Sequence, residues 1–287
     1  MEGLSEHTVL VNGMIGLCTK TRGWPSTLKD LGYKVEYLEP TFLNSEGKKV
    51  NPDILFTSNK LIHALITECK GGVSIENEQL EKYSKINVEN VRNWVSVYDA
   101  SKLSLDLCLA SYEELSEKIL ENIDSQYNFP ILVFSLSNFI SKINKFSNSK
   151  LDQAFSTPIE ISYPPTEFYP FDDEDDVSLI ALYILRELAF LALNNLHNES
   201  VEFEPDEMLD RIHPMWANIH ETKKKKLRSK TKEILDEYKK EQLSEHLAKV
   251  KGKNTWQITK SMKAFGDKCN KIIKELTEQK KISTYEE

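Results

Sequence analysis

The chain has little cysteine, and Cys18, Cys69, Cys108 and Cys269 form no C-x-x-C pair. That scatter argues against structural zinc and supplies no disulfide framework. The segment Met1–Glu6 is acidic and lacks a basic stretch followed by an apolar run, so no secretory signal is read there. The longest apolar stretch, Leu179 to Leu193, is interrupted by Arg186 and Glu187 and is too short to span a bilayer. No G-x-x-x-x-G-K-[ST] run occurs, so no P-loop for ATP is visible. A cytoplasmic protein without membrane contact is expected. Against these absences stand 287 residues, 40% hydrophobic and 29% charged, enough for one large or two ordinary soluble domains with a substantial core.

The net charge of −8 speaks against a nucleic-acid partner until its distribution is read. Residues 211–287 hold 20 Lys and Arg against 11 Asp and Glu, a net of +9; residues 1–210 hold the remaining 17 against 34, a net of −17. A basic C-terminal segment on an acidic body suits a protein that docks on phosphates through one part. The plainer reading is that lysine-rich helices are soluble surface.

The chemistry concentrates between Asn51 and Tyr83. Asp53-Ile54-Leu55-Phe56-Thr57 and Leu61-Ile62-His63-Ala64-Leu65-Ile66-Thr67 read as two apolar strands joined by Ser58-Asn59-Lys60. If the turn centres between Lys60 and Leu61, Asp53 faces Glu68; a slip of one residue separates the two carboxylates. Strand alternation sets Glu68 and Lys70 on one face and Cys69 on the other. Two carboxylates and a lysine at one strand end, followed by Gly71-Gly72, make a poor core but a good seat for a divalent metal beside a charged base.

Pro52-Asp53, fourteen residues, then Glu68-Cys69-Lys70 resembles the signature of the PD-(D/E)XK nuclease superfamily. After eight more residues, Gln79-Leu80-Glu81-Lys82-Tyr83 is similar to the Gln-x-x-x-Tyr motif of its RecB-like branch, with Gln79 and Tyr83 on one helix face. The resemblance covers roughly residues 20 to 135. It implies a metal-dependent DNA nuclease in which Asp53, Glu68 and the backbone carbonyl of Cys69 hold Mg²⁺ or Mn²⁺. Lys70 would orient or deprotonate the attacking water, or stabilise the phosphorane, and Gln79 and Tyr83 would position the strand or the lysine. It further implies an acid from the first helix. Residues 24–31 offer only Asp30, with Glu6, Glu36 and Glu39 as rivals; Glu76, Glu78 and Glu81 neighbour the motif helix. The bland alternative is that Asp53 caps a turn and Glu68–Lys70 is a surface ion pair of little energetic weight.

Around this centre the expected fold is α/β: a restriction-endonuclease-like mixed central sheet flanked by helices over residues 1–165, then a mainly helical domain over 177–287. A helix over Glu6–Leu17 is weakened by Asn12, Gly13 and Gly16. A short helix follows Trp24-Pro25, Tyr33–Leu38 alternates as a strand, and Arg92–Tyr98 is rich enough in β-formers for a fourth. Tyr112 to Ile123 has helical spacing, and Phe129–Leu136 reads as a strand buried on both faces. Asp172-Asp173-Glu174-Asp175-Asp176 reads as a solvated run capping a helix from Val177.

Downstream, helices are expected over Leu179–Leu196, Pro205–Ile212 and Glu221 to about Leu243, then a hairpin over Leu247–Thr259 and a helix from Met262 to about Lys280. This order resembles a winged-helix module. Its nucleic-acid candidates are Lys223, Lys224, Lys225, Lys226, Arg228 and Lys230 on the basic helix, with Lys251 and Lys253 at the hairpin tip; the helix could equally be a solvated face or an oligomer contact. The expected partners are DNA and, because no P-loop is visible, an ATPase or other component of a restriction or phage-defence system, with homo-oligomers open. The rival function is a non-catalytic DNA-binding or adaptor protein working through the basic C-terminal domain. On either reading the acidic body is expected to hold DNA poorly by itself.

Overall fold

Ser5 begins the first helix, α1 (Glu6–Gly16), by accepting a hydrogen bond from the Thr8 amide at 3.1 Å, as an N-cap serine does. The computed structural model describes residues 4–72, 77–122, 128–135, 138–162, 165 and 167–283. The chain divides into two compact units, one of Ser5–Tyr169 with Asn218–Thr222, the other of Pro170–Ala217 and Lys223–Glu287 with Met1–Leu4.

In the first unit α1 is followed by α2 (Thr27–Asp30), β1 (Tyr33–Leu38), a two-stranded hairpin of β2 (Phe42–Leu43) and β3 (Lys49–Val50), β4 (Ile54–Ser58), β5 (His63–Lys70), α3 (Asn77–Ser84), α4 (Val88–Val91), β6 (Ser104–Tyr112), α5 (Glu113–Asn122), β7 (Ile131–Ser135), β8 (Phe139–Ile143), α6 (Ser149–Ala154) and β9 (Ile159–Glu160). Seven strands form one mixed sheet in the order β1-β4-β5-β6-β7-β8-β9. β5, β6 and β7 run parallel at its centre, and the outer pairings are antiparallel. Seven of the eight residues of β5 are buried, the near-continuous apolar character of a strand covered on both faces.

The glycines of α1 mark close approach. A methyl group on Gly16 would lie 2.7 Å from the Trp24 indole and from Pro165, so the helix loses propensity there and gains seating. Asn12, fully buried, donates to the carbonyls of Thr8 (2.9 Å) and Tyr169 (2.7 Å) and accepts from the Tyr169 amide (2.8 Å). These bonds satisfy its amide inside the core, where an unmet polar group costs about 1–3 kcal/mol.

The structure corrects the fourth strand. Residues 88–94 are helical, because Asn87 and Asn90 form a reciprocal capping box that starts α4. Trp94 then packs edge-on against Tyr37 and Phe42, and Val95 and Val97 join the same apolar cluster. Their β-forming character serves packing rather than a ladder, since β-propensity largely measures fit to a half-buried surface. The strand beside β5 is β6, whose Leu105, Leu107 and Leu109 alternate with Asp106, Cys108 and Ala110.

The second unit comprises α7 (Val177–Leu193), β10 (Ser200–Phe203), α8 (Pro205–Ile212), α9 (Glu221–Lys240), β11 (Leu247–Lys249), β12 (Trp256–Thr259) and α10 (Met262–Ser283). Its strands form an antiparallel sheet in the order β10-β12-β11. The unit thus runs helix, strand, two helices and then a hairpin whose return strand lies at the centre of the sheet, before α10. Asp176 caps α7 by accepting from the Ser178 and Leu179 amides. The acid run is only partly solvated: Asp172 and Asp175 are buried, whereas Glu174 and Asp176 are exposed.

All four cysteines are free thiols. No helix among the described residues is long and apolar enough to cross a membrane.

Candidate active site

The register of β4 and β5 decides the site. Ser58 pairs with His63 and Ile54 with Thr67, so Asp53, one step beyond, stands opposite Glu68, as a turn centred between Lys60 and Leu61 requires. The Cys69 amide donates to Asp53 Oδ2 at 2.5 Å. In an extended strand a residue's N–H and C=O leave on the same edge, so the Cys69 carbonyl also faces the Asp53 side.

Glu68 is the hub. Its Oε1 accepts from Lys70 Nζ at 2.9 Å and from Gln79 Nε2 at 2.8 Å, and its Oε2 accepts from the Tyr83 hydroxyl at 2.8 Å. Lys70 Nζ also donates to Gln79 Oε1 at 2.7 Å, and Gln79 Nε2 reaches the Tyr83 oxygen at 3.0 Å. One turn of α3 delivers Gln79 and Tyr83 together, as i and i+4 positions must. Leu80 and Tyr83 anchor α3 in two apolar clusters over the sheet. Asp53, Glu68, Lys70, Gln79 and Tyr83 thus converge from two strands and one helix.

Burial and the neighbouring Asp53 charge raise the Glu68 carboxyl to about 7, with Lys70 opposing the shift. Burial drives the Tyr83 hydroxyl and the Cys69 thiol upward as well. Cys69 therefore supplies backbone rather than a nucleophile. Two crowded carboxylates and a strand carbonyl are oxygen donors of the kind hard divalent cations take. Among the described residues no three His, Cys, Asp or Glu side chains already surround one point: Glu68 is turned to Lys70, Gln79 and Tyr83, and Asp53 to the Cys69 amide and His7. The donor types fit Mg²⁺ or Mn²⁺.

His7 is the site residue that sequence reasoning missed. Its Nε2 lies 3.0 Å from Asp53 Oδ1. The helix beside the site is α1, which packs on β5 and β6, not α2. A Cβ on Gly71 would lie 2.6 Å from the His7 nitrogen and 2.9 Å from Glu6, so the glycine after the motif lysine is where α1 is seated. That glycine was the one available signal; 45 residues lie between His7 and Asp53, and no spacing pattern links the two.

Asp30 lies away from the site, its carboxylate bonded by Ser26 and its carbonyl by Lys60 at the β4–β5 turn. Glu36 is held by Thr57, Ser96 and Lys34. The Glu39 amide donates to the Asp53 carbonyl at 2.7 Å. Glu6 is exposed at the start of α1, Glu78 pairs with Lys82, and Glu81 is exposed. Glu76 lies outside the described residues.

The basic candidates separate. Lys223 is not a surface cation: it is 4% exposed, with Nζ 2.5 Å from both Asp172 and Asp173. Its place on α9 faces the unit's interior, where the acid run neutralises it. Arg228 pairs with Asp206 and, with Lys224, lies near the Trp216 ring. Lys230 is half-buried, and Lys225, Lys226, Lys251 and Lys253 are exposed. The last two flank Gly252, whose φ of +78° makes the hairpin tip.

A mixed α/β domain with an oxygen-donor pair, a lysine and a supporting Gln–Tyr pair is what the first unit presents. The chain belongs to the MJECL32 domain family, whose model matches residues 6–169. Residues 172–286 match a second model, a domain of unknown function designated DUF8601. The chain is 30% identical over 218 residues to "Uncharacterized protein MJECL32" of Methanocaldococcus jannaschii, an alignment covering 68% of this chain and 48% of that protein. The chain therefore spans about half the length of this curated relative. No solved structure matches.

Proposed function

We propose that the chain is a metal-dependent nuclease of the PD-(D/E)XK kind that hydrolyses phosphodiester bonds of DNA. The observation that carries this reading is the convergence of Lys70, Gln79 and Tyr83 on Glu68 opposite Asp53. Asp53, Glu68 and the Cys69 carbonyl would hold Mg²⁺ or Mn²⁺, with His7 beside Asp53. The cation, when bound, supplies an acidified water and charge stabilisation at the phosphate. Lys70 supplies a positive donor at the rim, fit to orient the attacking water or meet charge developing on a phosphate oxygen. Gln79 and Tyr83 fix the Glu68 carboxylate, as supporting groups around a metal ligand do.

Purified protein should cut linear, circular or single-stranded DNA with Mg²⁺ or Mn²⁺, and Lys70→Ala should abolish cutting while leaving thermal unfolding intact. Equal behaviour of wild type and Lys70→Ala on DNA and RNA would sink the assignment. On this reading the chain is the cutting component of a restriction or phage-defence assembly, and co-purification from native cells tests for a partner ATPase.

The element order of the second unit, which resembles a winged helix, with Lys251 and Lys253 at the hairpin tip, favours one alternative: a DNA-binding adaptor without catalysis. It requires Lys225→Ala/Lys226→Ala to destroy function while Asp53→Ala does not.

A further inference from the structure

We infer that Lys49 and Lys82 are phosphate-positioning residues that let the first unit grip the strand it cuts; this rests on the nuclease reading. A groove of about 490 Å³ opens beside the site, lined by Lys49, Asn51, Lys70, Gln79, Lys82 and Tyr83. Among the described residues that line it, none is acidic. That is notable within residues 1–210, which carry a net of −17.

The two lysines stand on an ordered wall. Asn44 is buried in the β2–β3 turn, accepts from the Glu46 and Lys48 amides at 3.0 Å each, and donates to the Lys82 carbonyl at 3.0 Å. The Ser45 amide donates to the Lys85 carbonyl at 3.0 Å. The hairpin is thereby fastened to the end of α3, and Lys49 and Lys82 face one groove from its two sides. Lys49 makes no ion pair with the described residues. Among the described residues Lys82 is paired only with Glu78, whose side chain is 74% exposed, and an exposed pair holds its cation weakly. Glu78 can be exchanged for a phosphate.

The groove runs into Lys70, Gln79 and Tyr83, so a backbone lying in it meets two ammonium groups beside the reacting centre. Among its described lining residues, three lysines and the amides of Asn51 and Gln79 outnumber the apolar Val50 and the Tyr83 ring, a polar surface suited to a phosphodiester chain. The basic second unit is then a second grip rather than the first.

The test uses the full chain and a fluorescently labelled oligodeoxynucleotide. Lys49→Ala/Lys82→Ala should raise KM about 10-fold with kcat changed less than about twofold, and lower the salt dependence of kcat/KM by about 2, near 0.9 per lost phosphate contact. Lys49→Arg/Lys82→Arg should restore both. Unchanged KM and salt slope, or a fall in kcat at constant KM, would overturn the inference while leaving the nuclease reading intact. If wild type does not cleave, the nuclease reading fails on its own. Direct binding of the same oligonucleotide then decides the groove: equal Kd for wild type and double variant overturns it, and a salt-dependent loss of affinity supports it.

Discussion

The Tyr83 hydroxyl donates to Oε2 of Glu68 at 2.8 Å, closing the side of the carboxylate that Lys70 and Gln79 leave open. Tyr83→Phe removes that donor from a buried acceptor. The expected losses are about 1–2 kcal/mol of stability and about 10–100-fold in affinity for the divalent ion. Urea unfolding and Mn²⁺ titration of cleavage measure them separately. Unchanged values would mean that the tyrosine merely packs.

Glu68 gives the site a pH dependence of definite sign. Its folded-state pKa lies near 7 against an ordinary 4.5, so between these values the native state holds more protons than the unfolded chain. Stability therefore falls as pH rises through that window, by at most a few kcal/mol. Melting temperature without divalent cation should drop between pH 5 and 8. Mn²⁺ should flatten the decline, and Glu68→Gln should lack it. A flat wild-type profile would show that Glu68 ionises freely.

Gly71→Ala tests the seating of α1. The new methyl would sit 2.6 Å from backbone of His7, and packed backbone yields only by moving. Cleavage should fall at least 10-fold, with melting lowered by several degrees. His7→Ala should match the activity loss with a smaller thermal effect. Full activity in Gly71→Ala would place α1 outside the chemistry.

The lysine run should divide by burial. Lys223→Ala strips the counter-ion from Asp172 and Asp173 and should cost about 3–5 kcal/mol, as uncompensated buried charges do. Lys225→Ala/Lys226→Ala should stay within about 0.5 kcal/mol of wild type and instead weaken oligonucleotide binding. Chemical unfolding and binding curves on the same preparations distinguish the two outcomes.

Where a pattern was local, the sequence carried it. The Asp53–Glu68 register followed from one turn, the start of α8 from Pro205 at a first-turn position, and the Gln79–Tyr83 face from helical geometry. What escaped depends on distant neighbours. Trp94, Val95 and Val97 have strand-like chemistry, but Asn87 commits the preceding residues to a helix and Tyr37 and Phe42 offer a packing surface. Lys223 is indistinguishable in sequence from Lys224 to Lys226 until α9 turns it toward Asp172. His7 became part of the site only because α1 settles against Gly71. For Lys223 and His7 the deciding partner is remote and no spacing rule reaches it, whereas the Asn87–Asn90 capping box is a local pattern.

Asn12 clasps the backbone of Tyr169 across 157 residues, and that clasp sets an order of assembly. A chain made from its N-terminus has only the Thr8 carbonyl for the Asn12 amide until residue 169 has emerged. The helix carrying His7 thus takes one of its buried side-chain clasps from a residue that lies beyond every strand of the seven-stranded sheet. A chain cut before Tyr169 therefore keeps every motif residue but leaves the helix that carries His7 without this clasp. Proteolysis of chains ending before Tyr169 should release α1 first.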